Sequence, residues 1–167
     1  MTAEIPVKLR PVRTCDLGVA AALHGACFAD AWNQAAIAEL LAMPGSVGLF
    51  AIADELPVGL AIVQAGREDA ELITLCVLPS HRRHAIGARL LAAVQETLSA
   101  RGCTRLILEV AEDNIPGKAF YLNRRFRQIG RRAGYYQRGR GKADALVLAC
   151  DFAIDQPVEA PPPRRED

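Results

Sequence analysis

Val77-Leu78-Pro79-Ser80-His81-Arg82-Arg83-His84-Ala85-Ile86-Gly87-Ala88-Arg89-Leu90-Leu91 is the stretch that fixes what the rest of the chain must build around. Before it runs Leu72-Ile73-Thr74-Leu75-Cys76-Val77, apolar and partly β-branched, the pattern of a buried strand. Pro79 stops that strand, because proline cannot donate to a ladder. After Gly87, apolar residues recur at helical spacing (Leu90, Leu91, Val94, Leu98), so a helix is predicted from Ala88 onward. A strand, a basic loop and a helix start point unpaired backbone N–H groups outward, and the helix dipole favours negative charge there. Arg82 and Arg83 add full positive charges. The local chemistry calls for a phosphate-bearing ligand.

On the N-terminal side, Val7 to Val12 alternates apolar and basic residues around Pro11, as an edge strand does. Thr14 is the expected cap of a helix whose face is Leu17, Ala20, Leu23 and Cys27. Phe28 to Trp32 breaks it, and Asn33 caps a second helix through Ile37, Leu40 and Leu41. Val47–Ala53 and Pro57–Ala65 form a hairpin across Asp54-Glu55-Leu56, and Glu71–Val77 is the strand that enters the basic loop.

On the C-terminal side, Arg101-Gly102 ends the long helix and Arg105–Ala111 is the next apolar strand. Strand, crossover helix and strand make a β-α-β unit, so these two strands should be parallel. Asn114 caps a further helix carrying Phe120 and Tyr121, with Pro116 tolerated in its first turn. A final hairpin pairs Gln128–Tyr136 with Asp144–Phe152 across Gln137–Lys142. Residues 1–155 therefore read as one α/β (α+β) domain, a mixed sheet of about seven strands with about four helices. Residues 156–167, rich in proline and charge, read as a disordered tail.

Composition narrows the function classes. A hydrophobic fraction of 51% and a formal charge of +1 exclude general disorder and give no sign of wholesale nucleic-acid binding. Five cysteines, odd in number and without C-x-x-C spacing, fit reduced core residues and a cytoplasmic protein. No signal-peptide pattern and no apolar run of the ~20 residues that a membrane span needs are present.

The element order, with its basic loop opening the long helix, resembles the GNAT superfamily of acyl-CoA-dependent N-acetyltransferases. That family's signature is Gln or Arg, two residues, Gly, one residue, then Gly or Ala. Arg82-Arg83-His84-Ala85-Ile86-Gly87 matches it at Arg82 and Gly87, with Ala85 in the place of a glycine. A methyl group there restricts the loop backbone and puts cofactor affinity in question. A narrower resemblance is to the bacterial ribosomal-protein alanine N-acetyltransferases (RimI-type) and to N-terminal acetyltransferases generally. It runs through Ala31-Trp32-Asn33, Leu108-Glu109-Val110, Asn114, Ala119-Phe120-Tyr121, Phe126, Arg131 to Tyr136 and Asp144-Ala145. Arg125 stands where that family has glycine before Phe126, so the helix must end differently or carry a strained residue. Gly117 is a weak helix former inside the helix that should hold Tyr121.

The resemblance implies acetyl-CoA as co-substrate and no metal. It implies cofactor contacts from Leu75, Cys76, Val77, Arg82, Arg83, His84, Ala85, Ile86, Gly87, Ala88, Asn114 and Tyr121, and acceptor contacts from Trp32, Tyr135 and Tyr136. The chemistry agrees with two of these side chains. An N-terminal amine, with a pKa of about 8, must lose a proton before it attacks a thioester. Glu109, interrupting an apolar strand, can take that proton directly or through one water, and by family match it is the general base. A strand-end position or a structural ion pair is the plain alternative for Glu109, and Glu71 is its rival as base. Tyr121 can protonate the leaving thiolate; alternatively its ring packs in the core with its hydroxyl on the backbone. Asn114 is either a cofactor contact or a cap alone. The Leu75–Val77 edge would pair with the pantetheine amides, and the Val77 N–H would stabilise the developing oxyanion. Cys76, in apolar surroundings, is disfavoured as a thiolate.

The expected activity is direct acetyl transfer, in a ternary complex, to a protein or peptide N-terminus, that of a ribosomal protein by family match. Neither a membrane nor direct nucleic-acid binding is required. A small-molecule amine or a lysine side chain is the alternative acceptor, and a non-catalytic acetyl-CoA-binding module the third reading. Arg124, Arg125, Arg127, Arg131, Arg132, Arg138 and Arg140 predict a basic end that complements CoA phosphates, a ribosomal surface, or only solvent.

Overall fold

The computed structural model describes residues 5–152 as one seven-stranded sheet with helices on both faces. The strands are β1 (Lys8–Pro11), β2 (Ser46–Ala53), β3 (Leu56–Ala65), β4 (Asp69–Val77), β5 (Arg105–Ala111), β6 (Arg127–Arg138) and β7 (Gly141–Asp151). The α-helices are α1 (Leu17–Cys27), α2 (Gln34–Ala42), α3 (Ile86–Ser99) and α4 (Ile115–Leu122). Strand order is β1-β2-β3-β4-β5-β7-β6, antiparallel except for the expected parallel pair β4–β5. The expected tail at 156–167 lies outside the described residues.

Each helix buries the face its spacing sets. On α3, Ile86, Leu90, Leu91, Val94 and Leu98 pack with Ala61, Val63, Leu106 and Leu108 of the sheet. Full burial of each such large side chain is worth about 2 kcal/mol. On the opposite face, Ala20, Leu23 and Ile37 of α1 and α2 cover Phe50, Leu60, Ile62 and Cys76. Phe120 and Tyr121 of α4 pack on the α3 side. Gly102, at φ +86°, ends α3: its N–H and that of Cys103 bond back to Ser99 and Leu98, closing the last carbonyls.

Several boundaries differ from the sequence reading. Thr14 opens a 3₁₀ turn rather than capping a helix, and α1 starts at Leu17. The organising group there is the buried Asp16, whose carboxylate takes both Nη atoms of Arg10 (2.7 and 3.1 Å) and the N–H of Arg13 (2.9 Å). These cations hold its carboxyl far below the usual range. The long helix begins at Ile86, ahead of Gly87, because Ala85 already adopts the capping geometry. The final hairpin is longer than expected, with Gly139-Arg140 as its tip. Arg125 takes the strained option: at φ +67° it serves as the left-handed end of α4, and the Phe126 N–H reaches back to the Tyr121 carbonyl (3.3 Å).

Candidate active site

β4 and β5 pair only from Asp69–Glu71 to Arg105–Ile107. Beyond that point β4 stays with β3 through Val77 and β5 stays with β7 through Ala111, so the two strands part and a wedge opens between them. A bulge drives the parting. Thr74 and Leu72 face consecutive residues of β3, Ile62 and Val63, which leaves Ile73 as an extra residue that bends and twists β4. The Leu78 N–H bonds to Val58 on the β3 side (2.8 Å). Alternation along the strand therefore turns the N–H groups of Val77 and Leu75 toward the wedge, where no β5 partner meets them.

The basic loop lies at the open mouth of this wedge, where β4 ends. Arg82 Nε donates to the Val77 carbonyl (3.0 Å), tying the loop to the end of β4. Arg83 (φ +67°) and Ala85 (φ +59°) are both left-handed, and the first turn of α3 follows directly. Left-handed residues interleaved before a helix turn successive N–H groups into a concave cradle for an anion. Ala85 thus keeps the conformation a glycine would take freely, at a cost of about 1 kcal/mol. At Gly87 a methyl group would sit 3.4 Å from the Phe120 ring, so glycine lets α3 and α4 close up beside the loop. These features suit a diphosphate carrying an extended amide chain, which is the shape of acetyl-CoA.

Across the wedge stands α4. Asn114 caps it, its Oδ1 accepting from the Gly117 N–H (3.0 Å). A Cβ at Gly117 would lie 2.5 Å from the Asn114 amide nitrogen, which explains a glycine in this helix. The Tyr121 ring packs edge-on against Phe120 and Phe126 (5.0 and 5.4 Å between centroids). Among the described residues its hydroxyl has no hydrogen-bond partner, and no buried side-chain oxygen is left unsatisfied, so the hydroxyl is not sealed in the core. Burial, with smaller contributions from Cys76 and Tyr136, pushes its pKa up. Tyr121 therefore stays protonated, as a proton donor must.

Glu109 lies on the open side of β5, its side chain only 20% exposed, and receives Arg132 Nη1 at Oε1 (2.7 Å). Tyr136 is raised first by burial and then by the nearby Glu109. Glu71, the rival carboxylate, is exposed and belongs to the last β4 residues still paired to β5, at the closed end of the wedge. Cys76 points into the core beneath α1 and α2, where burial and the neighbouring Cys27 push its thiol well up. By the same alternation its main-chain groups face β3, so Cys76 offers the wedge no donor. Among the described residues no His, Cys, Asp and Glu cluster could hold a metal ion.

The loop between α1 and α2 is organised by a residue the sequence reading did not single out. His24 is 3% exposed, stacks on Trp32 (4.5 Å) and touches Phe28 (4.5 Å), and its Nδ1 accepts the Trp32 N–H (3.1 Å). Burial pulls its pKa down, in keeping with a neutral ring that accepts at Nδ1. The signal available was a histidine in the otherwise apolar α1, eight residues before Trp32. Four of the seven arginines expected at the basic end have acidic partners distant in sequence: Arg131 grips Glu112 and Asp144, Arg138 grips Asp113, Arg127 meets Asp151, and Arg132 meets Glu109. Arg124 instead donates to the Phe120 carbonyl and lies over its ring, so this end mixes ion pairs with further cations.

A model of the acetyltransferase (GNAT) family matches residues 19–126, and the chain belongs to that family. It is an N-acetyltransferase. It is 32% identical over 102 residues to a [ribosomal protein bS18]-alanine N-acetyltransferase of Salmonella typhimurium, a match covering 61% of this chain and 69% of that one. It is 33% identical over 94 residues to the Escherichia coli K12 protein of the same name, covering 56% of this chain and 64% of that one. The solved ribosomal-protein-S18-alanine N-acetyltransferase of Escherichia coli superposes with a TM-score of 0.84 at 24% identity, over 90% of this chain and 97% of that one. Arabidopsis thaliana NAA60 in complex with acetyl-CoA superposes at 0.77 and 18% identity, over 87% of this chain and 98% of that one. Both of these structural likenesses are of fold alone.

Proposed function

We propose that the protein transfers the acetyl group of acetyl-CoA directly to a protein N-terminal amine, and that the acceptor is the N-terminal alanine of a ribosomal protein of the bS18 kind. The reading places its work in the cytoplasm, and among the described residues no helix is long and apolar enough to cross a membrane. The observation that carries it is the wedge: a β4 edge with its N–H groups unopposed, running into an anion cradle at one end and toward Glu109 and Tyr121 across the opening. The names of the relatives support the acceptor.

In this reading the main chain of residues 82–88 holds the diphosphate, and the Leu75–Val77 edge aligns the pantetheine as an added strand would. The Val77 N–H polarises the acetyl carbonyl. Glu109 takes a proton from the ammonium of the acceptor, directly or through one water, and Tyr121 returns one to the departing thiolate. Asn114 caps α4 and so fixes where Tyr121 stands. Trp32, Tyr135 and Tyr136 border the acceptor.

Release of free CoA thiol, measured with acetyl-CoA and a panel of acceptors, tests this. Peptides that begin with alanine should turn over far faster than polyamines, other small amines, or the same peptides blocked at the N-terminus but carrying lysine. Preference for a small amine or lysine would overturn the acceptor while leaving the enzyme class intact. Binding of acetyl-CoA without any turnover would overturn the catalytic roles.

A further inference from the structure

We infer that Arg132 is a positioning residue for the base: its guanidinium fixes one oxygen of Glu109 and so sets the direction in which that carboxylate faces the wedge. This inference rests on the reading of Glu109 as the base. The geometry points to it in three ways.

First, Glu109 is four-fifths covered, and a carboxylate so enclosed needs hydrogen-bond partners from the protein. Arg132 supplies one from β6, reaching over the intervening strand β7 to Oε1 at 2.7 Å.

Second, the contact is one-point. Two other arginine pairs on the same strand are forks, Arg131 bonding both oxygens of Glu112 (2.8 and 2.9 Å) and Arg138 both oxygens of Asp113 (2.8 and 3.0 Å), while the one-point pair Arg127–Asp151 is exposed on both sides, unlike the covered Glu109. Forked pairs occupy the carboxylate and serve to hold the hairpin to the body of the protein. Arg132 engages only Oε1 of Glu109, which among the described residues leaves Oε2 without an arginine and able to meet an amine or a water.

Third, the guanidinium is itself held in place. It lies 5.0 Å over the ring of Tyr135, which stands edge-on to Tyr136, and Tyr136 is close enough to Glu109 to be raised by its charge. The arrangement is made by a wide bulge in β6. Arg132 pairs with Ala145 and Tyr136 with Ala143, so Ala133, Gly134 and Tyr135 loop out between them. Gly134, at φ +60°, donates its N–H to Asp144 (2.8 Å) and pins the loop. The bulge thus carries Tyr135 back over Arg132, with half of Tyr135 still exposed to whatever docks there.

Without the guanidinium the Glu109 carboxylate should turn away from the wedge, so kcat falls while cofactor binding holds. The test compares Arg132→Ala, Arg132→Lys, Glu109→Gln and Arg127→Ala, with kcat and both KM values measured for each. Arg132→Ala should lower kcat about tenfold, the order of one hydrogen bond, with the KM for acetyl-CoA unchanged. Arg132→Lys should recover part of that loss, since a lysine returns a donor but not the planar contact. Arg127→Ala, at the exposed Asp151 pair on the same strand, controls for loss of a surface charge and should leave kcat in place. If Arg132→Ala keeps the wild-type kcat while Glu109→Gln is impaired, Arg132 has no positioning role and the base reading stands. If Glu109→Gln turns over normally, both fall together. Should Arg132→Ala fail to fold, a kcat of Arg132→Lys below wild type with the KM for acetyl-CoA unchanged decides in favour, and a wild-type kcat decides against.

Discussion

On the β4 side of the wedge the groups that face the opening are main-chain N–H groups, whereas on the β5–β6 side they are side chains held by partners far along the chain. The first side comes from one continuous segment, Leu72 to Leu91, in which bulge, strand end, loop and helix start follow one another. The second is assembled from β5, α4, the α1–α2 loop and the β6 bulge, through contacts such as Arg132–Glu109 and His24–Trp32. A backbone-built site tolerates side-chain change as long as the φ values survive, as Ala85 and Arg83 illustrate. A side-chain-built site does not, because each group depends on a particular partner. The comparison explains why a cofactor shared by a whole family can be bound by a short motif, while acceptor choice is spread across the fold.

The largest effect expected from breaking this comparison is on the side-chain side. Tyr121→Phe keeps the ring packing against Phe120 and Phe126 but removes the hydroxyl, and turnover should fall about 100-fold or more with acetyl-CoA affinity unchanged. Calorimetry beside steady-state kinetics reads both quantities.

A smaller effect is expected at His24. His24→Leu keeps an apolar filler between Phe28 and Trp32 but loses the acceptor for the Trp32 N–H, and the KM for a peptide acceptor should rise about tenfold, the order of one hydrogen bond. The same variant tests a pH dependence. Burial lowers the pKa of His24 from 6.5, so the unfolded chain accepts a proton that the folded protein refuses. This contribution to stability is complete above pH 6.5 and declines as pH falls below it, and thermal unfolding of His24→Leu should lack that decline.

The smallest effects separate the two left-handed residues. Ala85→Gly and Arg125→Gly should each raise stability by up to about 1 kcal/mol, less whatever glycine gains in the unfolded chain. Only Ala85→Gly, in the cradle, should also tighten acetyl-CoA binding. Equal affinity in both variants would separate the loop from the cofactor.

The same division governs what the sequence could disclose. The β4–loop–α3 unit was legible because its signals are local: an apolar run, a proline stop, a helical period. Asn33 and Asn114 were legible as caps for the same reason, and both accept the N–H three residues on. That Ala85 and Arg125 stand in glycine positions was visible, but not that both would keep the left-handed conformation. The bulge at Ile73 leaves no trace in composition, since an extra β-branched residue looks like more strand. The ion pairs of the arginine-rich end were hidden because their carboxylates lie 13 to 25 residues away, beyond any local period. Thr14 misled because Asp16, two residues on, finds Arg10 and Arg13 and sets a 3₁₀ turn first.

A crystal structure of the protein with acetyl-CoA would decide whether the wedge is the cofactor site. The diphosphate should lie on the main-chain N–H groups of residues 82–88, the pantetheine along Leu75 to Val77, and the acetyl carbonyl at the Val77 N–H. Acetyl-CoA bound elsewhere, or a wedge left empty at saturating cofactor, would overturn that assignment.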